Sequence, residues 1–145
     1  MLDGDVVREH LSSELGFSRA HRDLNILRIG WVAGEIVRHG GLVICAVIAP
    51  YDEARRRVRA MIEPLGGFML VYVATPLAVC EARDPKGHYA KARAGQLPSF
   101  TGVSDPYEAP VNADLTVNTE KTSTEEACAQ VVSWLASQAY LERER

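Results

Sequence analysis

Two aspartates near the N-terminus are the first residues whose spacing suits catalysis. Asp3 and Asp5 lie where a short apolar start passes into a segment with helical spacing. If both carboxylates are exposed there, one can orient Mg²⁺ or its waters and the other can accept a proton from an attacking hydroxyl. The alternative is structural, with Asp5 capping the helix and Asp3 closing the turn. The residue types alone leave both interpretations open.

A second group of polar residues suits anion binding. Arg22, Asn25 and Arg28 recur at intervals of three in a segment, 19–39, with helical periodicity, which places them roughly along one face. Two guanidiniums flanking an amide suit a phosphate or sulfate group together with a base or ribose. Arg8, one turn into the preceding helix, could join them. The alternative is a solvated basic stripe, which is the usual meaning of charges along a helix.

A third group belongs to the segment 83–110, which shows neither helical nor strand periodicity. Its first half is basic and its second half is rich in turn-forming residues. The cations are Arg83, Lys86, Lys91 and Arg93, and the aromatic residues are Tyr89, Phe100 and Tyr107. Long irregular segments in compact domains are usually functional lids or linkers, and this composition is unlike a linker. The segment is therefore either a cationic lid over an anionic ligand or an ordinary surface loop.

The elements that would position these groups alternate between helix and strand. Residues 42–48 and 68–74 are continuous apolar runs that predict strands buried on both faces, and 115–118 predicts a shorter strand. Between them, Leu24, Leu27 and Trp31 predict one apolar face of the helix over 19–39. The pattern predicts an α/β fold in which a parallel sheet carries helices on both faces. In such folds, ligands bind beyond the carboxyl ends of the strands.

Bulk properties exclude several classes of protein. The 145 residues indicate one domain, and a net charge of −3 argues against general nucleic-acid binding. Apolar runs as long as a membrane span and the layout of a signal peptide are both missing from the sequence, so we expect a cytoplasmic protein without membrane partners. Three cysteines among apolar neighbours predict reduced, buried thiols. Four scattered histidines predict no metal site of their own.

Several ordered motifs resemble the adenylylsulfate kinase (APS kinase) family. They are LDGD at 2–5, LGFS at 15–18, RDPKG at 83–87, KARAG at 91–95, FTGV at 100–103 and DPYE at 105–108. The similarity also includes Arg8, Arg22, Asn25 and Thr75-Pro76-Leu77. Because it covers nearly the whole chain, we expect residues 1–145 to be the C-terminal portion of an APS kinase domain with a lid at about 83–110. The implied fold is that of P-loop kinases.

The resemblance implies a reaction and a set of roles. Such kinases transfer the γ-phosphate of ATP, with Mg²⁺, to the 3′-hydroxyl of adenosine 5′-phosphosulfate in sulfate assimilation. By resemblance, the catalytic residues are Asp3, Asp5 and Lys86, with Asp5 also near Mg²⁺ directly or through water. The substrate-binding residues are Arg8, Phe17, Arg22, Asn25, Ile48, Pro50 and Phe100, and the lid residues near ATP are Arg83 and Lys91. Phe17 and Phe100 would sandwich the adenine.

The sequence departs from the family pattern in three places. Ala49 and Asp52 stand where the family usually has a serine and an arginine, which weakens the expected anion site and makes Asp52 a candidate helix cap. The sequence also contains no GxxxxGK[ST], the loop that wraps the nucleotide phosphates. That loop would lie on a βαβ unit upstream of Asp3, so we expect an N-terminally truncated kinase with little or no activity.

Two alternatives follow from the same residues. The chain could be a non-catalytic module that binds adenosine 5′-phosphosulfate or its product and regulates, or is attached to, an ATP sulfurylase. It could instead be a related kinase acting on another small hydroxyl substrate, although two phenylalanines favour a purine. The expected protein partners are a second copy of the chain and an ATP sulfurylase domain.

Overall fold

The computed structural model describes residues 1–141 and confirms an α/β architecture with parallel strands. The elements are β1 (Leu2–Asp3), α1 (Gly4–His10), α2 (Arg19–Arg38), β2 (Cys45–Ala46), α3 (Asp52–Ile62), β3 (Val71–Val73), α4 (Leu77–Arg83), α5 (His88–Arg93), β4 (Leu115–Val117) and α6 (Thr124–Ser137). Strand β1 pairs in parallel with β2, and β3 pairs in parallel with β4. Within residues 1–141, every helix is too short or too polar to cross a membrane.

The chain divides into two compact units. The first unit contains residues 1–68 and 105–109, and it holds the β1–β2 pair with helices α1 to α3. Among the described residues, the second unit contains 69–104 and 110–141, and it holds the β3–β4 pair with helices α4 to α6. The chain enters the first unit a second time at Asp105, inside the segment that the sequence predicts to be a lid.

The two long buried strands of the prediction are wrong in length and in burial. Residues 42–48 contribute only the two residues of β2, and Leu42, Ile44 and Ile48 are more than 60% exposed. Residues 68–74 contribute only the three residues of β3. Each strand pairs with a single neighbour among the described residues. An apolar run is buried only when other elements cover it, and these short pairs leave it uncovered. The three cysteines are free, as predicted, but Cys45 and Cys128 are exposed.

Helix α2 packs through a face that differs from the predicted one. Leu24 and Trp31 are 41% and 62% exposed. The buried residues are Arg22, Asn25, Ile26, Ile29, Gly30, Ala33 and Gly34. Helix α3 packs closely against this face, which leaves no room for a side chain at Gly30. A Cβ there would lie 2.6 Å from Cγ2 of Val58. Arg22 and Asn25 are buried on this same face, together with Ile26 and Ile29.

The cap of α1 resolves the role of one aspartate. The Asp3 carboxylate accepts from the backbone N–H groups of Asp5 at 3.0 Å and Val6 at 3.3 Å. Asp3 is therefore the N-cap, and the interpretation that Asp5 caps this helix is wrong. Asp5 lies in the first turn, where its negative charge interacts favourably with the positive end of the helix dipole.

The segment 83–110 is more ordered than its sequence suggests. Helix α5 occupies its first half, and the Asp84 carboxylate accepts from the N–H groups of Tyr89 at 3.1 Å and Ala90 at 2.9 Å. These backbone hydrogen bonds lower the pKa of Asp84. The expectation of a fully irregular segment was wrong because a six-residue helix is too short to show a periodicity of its own.

Candidate functional site

The turn between α1 and α2 presents Phe17 to solvent. Arg8 Nη1 donates to the carbonyls of Leu15 at 3.1 Å and Gly16 at 3.2 Å, which closes the turn. The same guanidinium lies against the ring of Phe17, 4.5 Å from its centroid. The ring is 57% exposed. An exposed aromatic face held by a cation is suited to stacking on a planar ligand.

Arg22 and Asn25 lie beside this ring on the buried face of α2. Arg22 Nε donates to the carbonyl of Phe17 at 2.9 Å, and its guanidinium lies 5.6 Å from the ring centroid. Asn25 is 5% exposed, and its Oδ1 has no hydrogen-bond partner among the described residues. Buried amide oxygens are normally satisfied, so this acceptor marks a place where a donor is expected. The structure thus brings together Phe17, Arg8, Arg22 and Asn25.

The electrostatics of this cluster favour an anion. Burial lowers the pKa of Arg8, and the nearby charge of Arg22 lowers it further, while Asp5 opposes both. The two guanidiniums repel each other, and a phosphate or sulfate oxygen between them would offset that repulsion. Asp5 is close enough to Arg8 to act on its charge, so the exposed Asp5 carboxylate belongs to the same surroundings.

Arg28 does not join the cluster. Its Nη1 donates to the Leu11 carbonyl at 3.1 Å and pairs with Glu14 Oε1 at 2.6 Å. The grouping of positions 22, 25 and 28 as one stripe is therefore wrong for the third member. Since a helix turns about 100° per residue, six residues leave Arg28 about 120° away from Arg22 around the axis.

The two positions that depart from the family pattern lie at the start of α3. Ala49 adopts a positive φ of 41°, and its carbonyl accepts from Arg55 Nη1 at 2.7 Å. Asp52 pairs with Arg56 Nε at 2.8 Å, so arginine side chains of its own helix offset its charge. Asp52 is the first residue of α3, not its cap. The Glu108 carboxylate takes the capping role by accepting from the Asp52 N–H at 2.6 Å.

Residues 105–109 form a strap across this part of the first unit. Tyr51 Oη donates to Asp105 Oδ2 at 2.7 Å, and Arg55 Nη2 donates to the Glu108 carbonyl at 2.6 Å. The Glu108 N–H in turn donates to the Pro50 carbonyl at 2.8 Å. The sequence alone did not indicate these contacts. The only local sign of them is the DPYE motif at 105–108, which is part of the family resemblance but predicts no contact by itself.

Of the two apolar positions predicted to line the substrate pocket, one is exposed and one is buried. Ile48 is 63% exposed, at the end of the run that follows β2. Pro50 is buried under the strap. Their predicted contact with substrate stays a prediction.

The remaining predicted residues belong to the second unit. Arg83 donates to Thr119 Oγ1 and to the Thr119 carbonyl, each at 2.8 Å, so it ties the end of α4 to the turn after β4. Lys86 and Lys91 are exposed. Phe100 is half-buried and packs edge-on against Tyr89, with 5.3 Å between ring centroids. Their predicted roles at ATP and adenine stay predictions.

The described residues bring no set of metal-binding side chains together. Residues 1–141 contain no cluster of three or more histidine, cysteine, aspartate or glutamate side chains that could hold a metal ion. A divalent cation near Asp5 would therefore need oxygen atoms from a bound nucleotide or from water, as Mg²⁺ commonly uses in phosphoryl-transfer sites.

Solved structures share this α/β fold with parallel strands. The Mycobacterium tuberculosis APS kinase CysC, in complex with AMPPNP and APS, matches with a TM-score of 0.89 and 41% identity, covering 93% of this chain and 78% of that one. The hexameric APS kinase from Thiobacillus denitrificans matches with a TM-score of 0.73 and 43% identity, covering 99% of this chain and 23% of that one.

The chain belongs to the adenylylsulphate kinase family, whose model matches residues 1–118. Among curated proteins, a sulfate adenylyltransferase from Emericella nidulans is 51% identical over 144 residues. A sulfate adenylyltransferase from Phaeosphaeria nodorum is 53% identical over 141 residues. The chain spans 25% of the length of each of these relatives.

Proposed function

We propose that this chain provides the acceptor site of an APS kinase, where adenosine 5′-phosphosulfate binds for phosphorylation of its 3′-hydroxyl by ATP in sulfate assimilation. The observation that carries this proposal is the exposed ring of Phe17 with the guanidiniums of Arg8 and Arg22 on it. The solved M. tuberculosis APS kinase complex with AMPPNP and APS supports the choice of nucleotides.

Different residues of the proposed acceptor site would bind different parts of the ligand. Stacking of adenine on Phe17 would contribute about 1–3 kcal/mol. Arg8 and Arg22 would neutralise the phosphosulfate group, because charge-assisted hydrogen bonds to such oxygens are strong. The unpartnered Asn25 Oδ1 would accept a hydrogen bond from the ligand. Ile48 and Pro50 would add apolar contact.

The transfer itself requires positioning and charge neutralisation more than covalent chemistry. We assign Asp5 to the attacking hydroxyl, with Asp3 holding the turn that presents it. Mg²⁺, when bound beside Asp5, would offset charge on the nucleotide phosphates. The exposed Lys86 and Lys91 would approach the phosphates of ATP, and Arg83 would hold the turn at Thr119 near the nucleotide.

Binding without turnover is the expected behaviour of these 145 residues. The sequence has no GxxxxGK[ST], and a lysine and backbone N–H groups in that loop would neutralise the β- and γ-phosphates. We therefore expect adenosine 5′-phosphosulfate to bind, but ATP-dependent transfer to be slow or undetectable. Phosphorylation at a normal kinase rate by this chain would contradict the second expectation and leave the first intact.

Calorimetric titration with adenosine 5′-phosphosulfate tests the acceptor site. Phe17→Ala removes the stacking surface, and a loss of about 1–3 kcal/mol corresponds to roughly 5- to 150-fold weaker binding. Trp31→Ala is the matched control, because Trp31 is also an exposed aromatic residue of this unit, 62% exposed on α2. The proposal fails if the native chain does not bind, or if both variants weaken binding equally.

A second candidate is a nucleotide-binding module that is attached to, or regulates, an ATP sulfurylase. The observation that favours it is the similarity to sulfate adenylyltransferases, of whose length the chain spans a quarter. Self-association is a related proposal, supported by the hexameric relative. Sedimentation of the chain alone and with an ATP sulfurylase domain would distinguish a monomer, a homo-oligomer and a mixed complex.

A further inference from the structure

One carboxylate connects the strap to the proposed acceptor site. Asp105 Oδ2 accepts from Tyr51 Oη at 2.7 Å and lies 3.5 Å from Arg22 Nε. Tyr51 is 1% exposed and Arg22 is 9% exposed. The contact therefore lies in a poorly solvated place, where removing one partner would leave the other charge buried and unpaired.

Arg22 is held along one edge of its guanidinium. The Nε that faces Asp105 is also the atom that donates to the Phe17 carbonyl at 2.9 Å. Because the guanidinium is planar, fixing its Nε edge fixes the directions of the N–H donors at Nη1 and Nη2. The same contact fixes the backbone of Phe17, and so the place from which its ring projects.

Asp105 cannot easily turn away from Arg22. The Arg19 guanidinium lies 4.4 Å from the centroid of the Tyr51 ring and covers it. Tyr51 Oη stays a donor over the accessible pH range, since burial raises its pKa, and the hydrogen bond to Asp105 raises it further. The strap is anchored again at Glu108, through Arg55 and the Pro50 carbonyl. A carboxylate with one fixed donor and a fixed backbone has few alternative rotamers.

We propose that Tyr51 and Asp105 are positioning residues of the acceptor site, which hold Arg22, and through it Phe17, in the orientation that binds the phosphosulfate nucleotide. This inference rests on the proposed function of Arg22 and Phe17. It gives residues 105–108 a task in binding. If charge alone mattered, the opposite effect would follow, since a carboxylate beside Arg22 would compete with an anionic ligand and its removal would tighten binding.

Binding measurements on two small changes distinguish these effects. Asp105→Asn keeps the shape and removes the charge, and Tyr51→Phe removes only the hydroxyl. We expect each to raise the Kd for adenosine 5′-phosphosulfate about tenfold, and we expect the double variant to be no worse than Asp105→Asn, because both act through the same oxygen. The matched controls are Asp114→Asn, whose carboxylate accepts from the Leu70 N–H in the second unit, and Tyr140→Phe. Neither control should change Kd.

A further pair of variants separates positioning from a general effect on folding. In an Arg22→Lys background, Asp105→Asn should add no more than twofold, since its effect passes through Arg22. A tenfold effect that persists in this background would assign Asp105 to the stability of the strap and overturn the inference. Thermal unfolding of each variant confirms that the chain tested is folded.

Two other results also overturn the inference. If the native chain binds adenosine 5′-phosphosulfate and Asp105→Asn binds it equally or more tightly, the positioning role is contradicted but the proposed function stands. Absence of binding by the native chain contradicts the proposed function, and the positioning role fails with it. A magnetic resonance signal from the Arg22 Nε–H gives an independent readout without ligand. We expect its exchange with solvent to quicken about tenfold in Asp105→Asn and to stay unchanged in Asp114→Asn.

Discussion

Two glycines on the buried face of α2 should respond in opposite ways to the same substitution. A Cβ on Gly30 would lie 2.6, 2.9 and 3.2 Å from Cγ2, Cγ1 and Cβ of Val58 on α3. A Cβ on Gly34, one turn further along, would lie 3.3 Å from Cδ1 of Leu65, the mobile end of a longer side chain. We predict that Gly30→Ala destabilises the protein and that Gly34→Ala does not.

The magnitudes follow from two opposing terms. Alanine in place of glycine inside a helix gains about 1 kcal/mol in propensity. Overpacking costs about 1–3 kcal/mol, and Gly30 should lie near the upper end because its neighbour, Val58, is β-branched and stiff. The free energy of unfolding should therefore fall by about 1–2 kcal/mol in Gly30→Ala. In Gly34→Ala it should stay level or rise by up to about 1 kcal/mol, since the Leu65 end can shift.

Urea unfolding of the two variants and the native chain measures this difference. With a slope of about 1–3 kcal/mol per molar urea, a gap of about 2 kcal/mol separates the two midpoints by about 1 M. Adding Val58→Ala to Gly30→Ala should recover part of the loss by removing the clash. A Gly30→Ala chain as stable as Gly34→Ala would refute the close approach of α2 and α3.

Three further predictions concern caps and charges. Asp3→Ala should cost about 1 kcal/mol of unfolding free energy by removing the cap of α1, whereas Asp3→Asn should cost much less, as urea unfolding would show. Arg55→Ala should cost about 2 kcal/mol or more, because the carbonyls of Ala49 and Glu108 lose a buried donor; a loss below 0.5 kcal/mol in the same assay would contradict the contact geometry. Because the pKa of Asp84 is lowered in the folded chain, its carboxylate stabilises the fold above the unfolded pKa of about 3.9, and this contribution is lost as the pH falls through the lower folded pKa. In a carboxyl titration followed by magnetic resonance, a midpoint for Asp84 at or above about 3.9 would contradict this sign.

The sequence was sufficient to predict the fold class and to indicate that the residues of the proposed acceptor site lie together. Alternation of helical and apolar segments predicted parallel α/β architecture, and LGFS with Arg8 and Arg22 indicated residues that do lie together. Such predictions succeed because the partners are close in sequence, on adjacent helices joined by one tight turn. Arg8 reaches its carbonyl partners across only seven or eight residues.

The predictions that failed depend on partners distant in sequence. Leu24 and Trp31 looked like a core face because periodicity reports an apolar stripe but not which neighbour covers it. The start of α3 looked self-capped at Asp52, whereas its cap is Glu108, 56 residues away. Likewise Asp105 contacts Tyr51 across 54 residues, so no local pattern could reveal it.

The most direct test of the acceptor site is a titration of the ¹⁵N-labelled native chain with adenosine 5′-phosphosulfate, followed residue by residue by magnetic resonance. The proposed function predicts saturable shifts that are largest at Phe17, Arg22 and Asn25, with little change along α6. Shifts that do not saturate, or that are largest along α6, would contradict the assignment of this turn and helix face as the site where the phosphosulfate nucleotide binds.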